Sequence, residues 1–246
     1  SDGFWGRREA NGGDWFELVV IGDHLDMRGW RLWVGNDVGG PSEESFVITL
    51  TDDGLWSDLR SGTIITFSEE LRNNVLQYRP EFGRWWINVR VSPGTSGTYA
   101  TVECVSPACL PADVRWKVSN LNWQLVVTDA VGANVFGPAG EGIKPINAIG
   151  PNEVFKLEDD PSAATTPLSN YNDGTSSSFG EPNIYSAGSA VQDLSALRSS
   201  VPYSALSSVR INEVYSHSDP GIDWFELYNP GSEDVDVGGW YLSDNP

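Results

Sequence analysis

Residues 14–18 read Asp-Trp-Phe-Glu-Leu, and the same five residues recur at 223–227, near the other end of the chain. After each copy an Asp, a Gly, a Trp and a Leu recur at matching places, within 26–32 and 236–242, although the second connection is one residue longer. An internal repeat shows what the structural unit of a chain is. The unit here is one β-domain, and the chain holds most of one copy and the beginning of the next.

The repeated stretch has the alternation of a β-strand. The odd-numbered residues of 15–20 would face one side of a sheet, and the even-numbered residues, which are all apolar, would face the other. Turn chemistry follows the second copy, where 229–231 read Asn-Pro-Gly. The next segment contains Gly-Trp-x-Leu, with an aromatic side chain large enough to anchor a core. We therefore predict a hairpin over 14–34.

Three segments near the end of the chain carry a family resemblance. They read Arg-Ile-Asn-Glu-Val at 210–214, Asp-Trp-Phe-Glu-Leu-Tyr-Asn-Pro at 223–230 and Val-Asp-Val-Gly-Gly-Trp-Tyr-Leu-Ser-Asp at 235–244. In this order they closely resemble the opening of the lamin-tail domain. The resemblance implies an all-β fold, namely an immunoglobulin-like β-sandwich, with a second incomplete copy. It also implies an accessory module of exported, often multidomain proteins of bacteria and archaea.

The residues of the repeated motif are expected to be structural. We predict that its aspartates fix turns by accepting hydrogen bonds from nearby backbone N–H groups. The motif residues to which we assign this structural role are Asp14, Trp15, Glu17, Asp26, Trp30, Asp223, Trp224, Glu226, Asp236 and Trp240.

Other stretches complete a β-rich pattern. A short helix is predicted at 68–76, with Ser68 as its N-cap. Apolar and β-branched runs predict further strands at 45–50, 59–67, 84–91, 99–105, 114–118 and 154–158, and a hairpin at 122–137.

The resemblance and the composition together divide the chain into three parts. We expect a lamin-tail-like β-sandwich at 1–185, and the opening strands of a second copy at 208–246. Between them, 186–207 are rich in Ser, Ala and Gly and are predicted to be a linker.

The first copy has no counterpart of the strand that opens the second copy. Three explanations remain open: the sequence is a window on a longer tandem protein, the tail donates a strand to another chain, or the tail completes the fold within its own chain. The candidate donor residues are Ile211, Asn212, Glu213 and Val214.

Composition limits the partners. The net charge is −19 and the pI is about 4.2, so the surface should repel nucleic acids and anionic membranes. No apolar run of about 20 residues is present, so membrane insertion is not expected. Partners of the same chain or family, and a carbohydrate as a further candidate, are therefore the expectation.

Cys104 and Cys109 are the only cysteines. A local disulfide is the preferred interpretation, and it would indicate an oxidising, extracellular or cell-surface location. Two reduced thiols are the alternative. A zinc site is disfavoured because zinc needs four ligands, and the two histidines, His24 and His217, are isolated in sequence.

No catalytic motif stands out, so we predict that the chain is not an enzyme. Neighbouring carboxylates, as in 52–53 and 158–160, are typical of solvated loops, with calcium as a weaker interpretation and no other cofactor expected. The leading function is a structural module of an exported cell-surface, matrix or filament protein, acting through domain–domain contacts and strand donation between chains. The alternative is a carbohydrate- or calcium-binding accessory module of a secreted hydrolase.

The disulfide is directly testable. We expect neither thiol to react with iodoacetamide before reduction and both to react afterwards. Replacing both Cys104 and Cys109 with Ser should lower the free energy of unfolding by about 2 kcal/mol, because the closed loop limits the unfolded chain. Full labelling of the unreduced protein would contradict the pairing.

Overall fold

The computed structural model contains two compact units, Ser1–Val201 and Pro202–Pro246, and each is described by itself. The residues that the structure describes are 13–69, 71–91, 97–106, 116–118, 121–143, 154–174, 177–186, 188, 190–198, 209–215 and 224–229.

These residues are mostly β-sheet, as expected for an all-β chain. The strands of the first unit are β1 (Trp15–Val19), β2 (Arg31–Asn36), β3 (Glu44–Leu50), β4 (Ile64–Ser68), β5 (Trp86–Arg90), β6 (Ala100–Cys104), β7 (Gln124–Thr128), β8 (Asn134–Gly140), β9 (Val154–Leu157) and β10 (Tyr171–Gly174). The one α-helix of the described residues is a single turn, α1 (Ser195–Arg198).

Two sheets share the core of the first unit. One has five antiparallel strands in the order β6-β3-β2-β7-β8, and the other has three strands in the order β1-β4-β5. Strand β4 pairs antiparallel with β1 and parallel with β5. Strands β9 and β10 form a separate hairpin.

Alternation in the sequence decides which side chains enter the core. In β7, Leu125 and Val127 are buried, whereas their neighbours along the strand are partly exposed. Strand β4 is buried at every position, since it is the central strand of its sheet. The largest fully buried side chains include Trp56, Trp116, Phe46, Phe67, Phe179, Leu32 and Ile48.

The predicted hairpin over 14–34 is wrong. Strand β1 pairs with β4, whereas β2 lies in the other sheet between β3 and β7. The connection at 20–30 carries the chain from one sheet to the other. Its Leu25 N–H donates to the Leu59 carbonyl at 2.8 Å, and Met27 is buried in the core. The connecting residues are therefore used for packing and not for a tight turn.

The predicted helix at 68–76 is also wrong within the described residues. Ser68 is the last residue of β4, and its hydroxyl donates to the side-chain oxygen of Asn88 at 2.9 Å. In the described part of 68–77, a 3-10 turn at Val75–Gln77 is the helical element. Ser68 is held by its sheet neighbour and does not cap a helix.

The segment predicted as a linker packs on the first unit in its described part. Leu194 is buried, and the Arg198 guanidinium donates to the Gly62 carbonyl at 3.0 and 3.1 Å. The Ser61 hydroxyl also donates to the Leu197 carbonyl. The first compact unit accordingly extends to Val201. One buried leucine and these hydrogen bonds hold the described part of the segment on the first unit.

The described part of the second unit is an antiparallel hairpin of β11 (Arg210–Tyr215) and β12 (Trp224–Tyr228). Val214 lies opposite Phe225 and Glu213 opposite Glu226, and the register shifts between Ile211 and Glu213. The hairpin leaves apolar side chains exposed to solvent: Ile211 is 61% exposed and Val214 is 65% exposed. Two strands alone do not bury their faces.

Phe16 provides a test of the shared core. It is 6% exposed and stacks on Phe67 at 5.1 Å between ring centroids, with Trp116 at 5.4 Å. We expect Phe16→Ala to lower the free energy of unfolding by about 3–5 kcal/mol, because it leaves a cavity between the sheets. The matched control is Phe82→Ala, at a residue 68% exposed. Equal effects of the two substitutions in urea denaturation would contradict this core.

Candidate interaction groove along strand β1

Among the described residues, β1 pairs with β4 alone, so it is an edge strand of its sheet. The Val20 N–H donates to the Thr63 carbonyl at 2.9 Å. Ile64, which lies opposite Val19, donates its N–H to the Trp85 carbonyl at 2.8 Å, on the β5 side. Because backbone groups of successive strand residues point to opposite sides, the N–H and C=O groups of Glu17 and Val19 point away from β4.

A groove of about 750 Å³ follows this strand. Residues 14–20 line it along their whole length, together with one wall from β7 and β8 and another from β9 and β10. The first wall is apolar, and its lining residues include Leu125, Val127, Phe136 and Ala139. A cleft of this size with a mostly apolar lining is the usual form of a binding site.

Glu17 connects β1 to a distant segment. One of its carboxyl oxygens, Oε1, accepts hydrogen bonds from the Thr66 hydroxyl at 2.6 Å and from the Gly180 N–H at 2.7 Å. Thr66 in turn accepts a hydrogen bond from the Trp86 indole N–H at 2.8 Å. Three elements that are remote in sequence are therefore joined at one carboxyl group. This role explains why a strand that borders the core carries a glutamate.

The environment of Glu17 favours its neutral form. Burial raises the pKa of this carboxyl to about 7, although the hydrogen bonds from Thr66 and Gly180 oppose the shift, and the negative charge of Glu181 adds to it. At neutral pH the carboxyl group is therefore divided between its protonated and ionised forms.

Aromatic contacts hold the same distant segment in place. The ring of Phe179 meets Trp15 edge-on at 4.9 Å between centroids and Trp86 at 5.6 Å. Phe179 is 1% exposed, so the segment around it covers the face of the β1-β4-β5 sheet opposite the one that carries Phe16. Such edge-to-face pairs add to the stability gained by burial alone.

Asp14 makes a long-range contact and not the local turn expected from its position. Its side chain accepts a hydrogen bond from the Val118 N–H at 2.9 Å, and its own N–H donates to Glu69 at 3.0 Å. Burial raises the pKa of Asp14, and the hydrogen bond from Val118 opposes that shift. Asp26, by contrast, accepts from the Arg28 N–H at 3.0 Å within its own turn.

On the side of the groove formed by β9 and β10, the polar side chains make hydrogen bonds within the protein. The Lys156 ammonium donates to the Ile184 carbonyl at 2.5 Å, and burial lowers its pKa. Nearby, the Glu158 carboxylate accepts from the Ser186 N–H at 2.6 Å, and Asp160 accepts from the Tyr185 hydroxyl at 2.7 Å. The acidic run at 158–160 thus fastens 184–186. Among the described residues, no group of three or more His, Cys, Asp or Glu residues could hold a metal ion.

The remaining predicted residues fall in different places. Trp30 is partly buried against the core, and Trp224 is 43% exposed in β12, which also contains Glu226. Ile211 and Val214 are exposed on β11, where the backbone of Asn212 and Glu213 is also described. Cys104 ends β6. The predicted residues that lie outside the described part of the chain are Cys109, Asp223, Asp236 and Trp240.

Two tryptophans that could have served as sugar-stacking platforms are occupied in packing. Trp56 is fully buried and donates to the Tyr99 carbonyl at 2.7 Å. Trp85 has the Arg198 guanidinium over its ring at 5.1 Å. These two rings are therefore not open platforms.

Sequence reasoning missed the partners of Glu17. Thr66 and Trp86 lie on two predicted strands, and Gly180 lies in the Phe-Gly-Glu-Pro-Asn segment, but no local signal joins them. In the comparisons with known proteins, no family model, curated protein or solved structure matches the chain. None of the described helices is long and apolar enough to cross a bilayer.

The raised pKa of Glu17 predicts a pH effect on stability. Between pH 4.5, the ordinary value, and about 7, the folded state holds a proton that the unfolded state has released. The free energy of unfolding therefore falls as pH rises through this window and is level above it. We expect Glu17→Gln to retain both acceptor contacts and to raise stability at pH 8 by about 1–2 kcal/mol relative to the wild type.

The measurement is urea denaturation at pH 4.5 and pH 8. Glu103→Gln, at an exposed residue of β6, is the matched control and should leave the pH profile of the wild type in place. A Glu17→Gln profile parallel to that of the wild type would show that Glu17 does not titrate in this window.

Proposed function

We propose that this chain is a non-catalytic structural and interaction module of an exported cell-surface, matrix or filament protein. The observation that carries the proposal is the edge strand β1 with the apolar groove beside it. An edge strand beside an apolar groove is suited to binding another polypeptide segment, because the backbone supplies hydrogen bonds and the groove accepts side chains. The module would act through contacts between domains.

The chemistry of the groove supports binding over turnover. Glu17 accepts hydrogen bonds from two groups of the protein, and Lys156 donates to a backbone carbonyl. These groups fix the walls of the groove. Catalysis by a carboxyl group would instead need it to face a substrate at a set distance from a second acid or base.

The family assignment remains part of this proposal. The two sheets around one core are compatible with an immunoglobulin-like sandwich of the lamin-tail type, and the repeated motif supports that assignment. The predicted pairing of Cys104 with Cys109 would favour an extracellular or cell-surface location. The net charge of −19 favours a protein or carbohydrate partner over a nucleic acid.

The proposed function predicts self-assembly of the purified chain. We expect the mass measured by multi-angle light scattering to rise with protein concentration, and electron micrographs to show ordered polymers. The chain supplies both an edge strand and an exposed apolar hairpin, so association buries apolar surface.

A monomeric mass at every concentration would contradict the proposed role in self-assembly. In that case, heat released on titration with calcium or an oligosaccharide would favour the accessory-module alternative. An unrelated acidic domain of similar size, measured alone at the same concentrations, serves as the control for non-specific association.

A further inference from the structure

We infer that the groove along β1 accepts strand β11 of a second copy of this chain. The inference rests on the proposed function and names the acceptor, the donor and the register. The donor is Arg210–Tyr215, and the acceptor is Trp15–Val19. With six residues against five, the donor spans the acceptor strand completely.

The hairpin of the second unit shows how the two sequences pair. Residues 224–227 of β12 repeat residues 15–18 of β1 without a change, and β11 pairs antiparallel with β12. The same register on β1 places Val214 opposite Phe16 and Glu213 opposite Glu17. It also places Arg210 opposite the position of Val19, because Arg210 lies opposite Tyr228 in the hairpin.

The side chains fit this register. Phe16 faces the core of the first unit, where it lies 5.8 Å from the ring of Trp123. Residues directly opposite each other on antiparallel strands project to the same face. Val214 would therefore enter the groove beside Phe16. Ile211 would follow beside Leu18, since the register shift at Asn212 restores the apolar residue to that face.

The exchange has a direction. Because four of the five residues of β1 are identical to those of β12, moving β11 from β12 to the β1 strand of another copy replaces one backbone ladder with an equivalent one. Ile211 and Val214, which are 61% and 65% exposed in the hairpin, would move into an apolar groove. The gain in buried apolar surface favours the exchanged arrangement.

The geometry also determines the type of assembly. Each chain carries one donor, in its second unit, and one acceptor, in its first unit. A contact between two different surfaces is heterologous, and it builds an open chain of subunits unless the rotation closes a ring. Strand exchange of this kind therefore predicts a linear polymer.

Disulfide cross-linking between two different chains tests the register. One chain carries Val19→Cys and the other Arg210→Cys, so that neither can form the engineered bond alone. Opposed strand residues lie within the Cα separation that a disulfide requires. We expect a linked dimer on a non-reducing gel only from the mixture. An acceptor mixed with a Tyr215→Cys chain is the matched control, with the cysteine at the other end of the donor strand, and it should give several-fold less dimer.

Substitutions at the acceptor test whether pairing drives assembly. Val19→Pro removes an N–H group that points away from β4, so the pairing within the sheet is retained while the pairing with a donor is lost. We expect loss of polymers with Val19→Pro and their retention with Val19→Ala. If circular dichroism shows that the proline variant is unfolded, Val214→Asp replaces it, with Val131→Asp, at a residue 89% exposed, as its control.

The outcomes separate this inference from the proposed function. Strand exchange would be overturned if the chain forms polymers but the mixed Val19→Cys and Arg210→Cys chains give no linked dimer. Polymers that persist in both Val19→Pro and Val214→Asp would overturn it as well. Either result would leave the structural role standing. A double variant that carries both Val19→Cys and Arg210→Cys is also oxidised, and a link that forms only within its own chain would overturn donation between chains. A wild-type chain that stays monomeric would overturn both proposals.

Discussion

The first unit depends on the contacts that strand β1 makes along one edge and on both of its faces. One edge of the strand pairs with β4, and its apolar face enters the core through Phe16. Its opposite face carries Glu17, a carboxyl group that accepts hydrogen bonds from Thr66 and from Gly180. A partly buried carboxyl group is tolerated only with such partners. Strand β1, strand β4 of the same sheet and the segment around Gly180 are thus held together.

This constraint also explains the form of the groove. The segment that reaches Glu17 passes over the end of the core, where Phe179 packs between Trp15 and Trp86. Lys156 and the acidic residues at 158–160 hold the adjoining wall to 184–186. These contacts hold the wall formed by β9 and β10 in place, and the groove lies along the strand edge that faces away from β4. An apolar space beside backbone hydrogen-bonding groups is suited to an extended peptide.

Much of the β structure could be predicted from the sequence. The strands at 44–50, 64–68, 86–90 and 154–157 lie within or close to the predicted runs, because alternation and β-branched residues report burial directly. The pairing of β1 could not be predicted in the same way. The short distance to β2 suggested a hairpin, but Met27 and Leu25 are drawn into packing, and β1 joins another sheet. Similarly, the sparse apolar residue Leu194 gave no clear sign that its segment binds the domain.

The sequence by itself determined the β class, the strand faces and the repeat that links 14–18 to 223–227. Those properties are local, because each depends on periodicity or on identity between two short segments. Only the tertiary structure decided which strands are neighbours, and that Glu17 meets Gly180 across 163 residues of sequence. It also revealed the groove at β1. Periodicity specifies that a side chain is buried, but the partner is chosen by the packing of the whole domain.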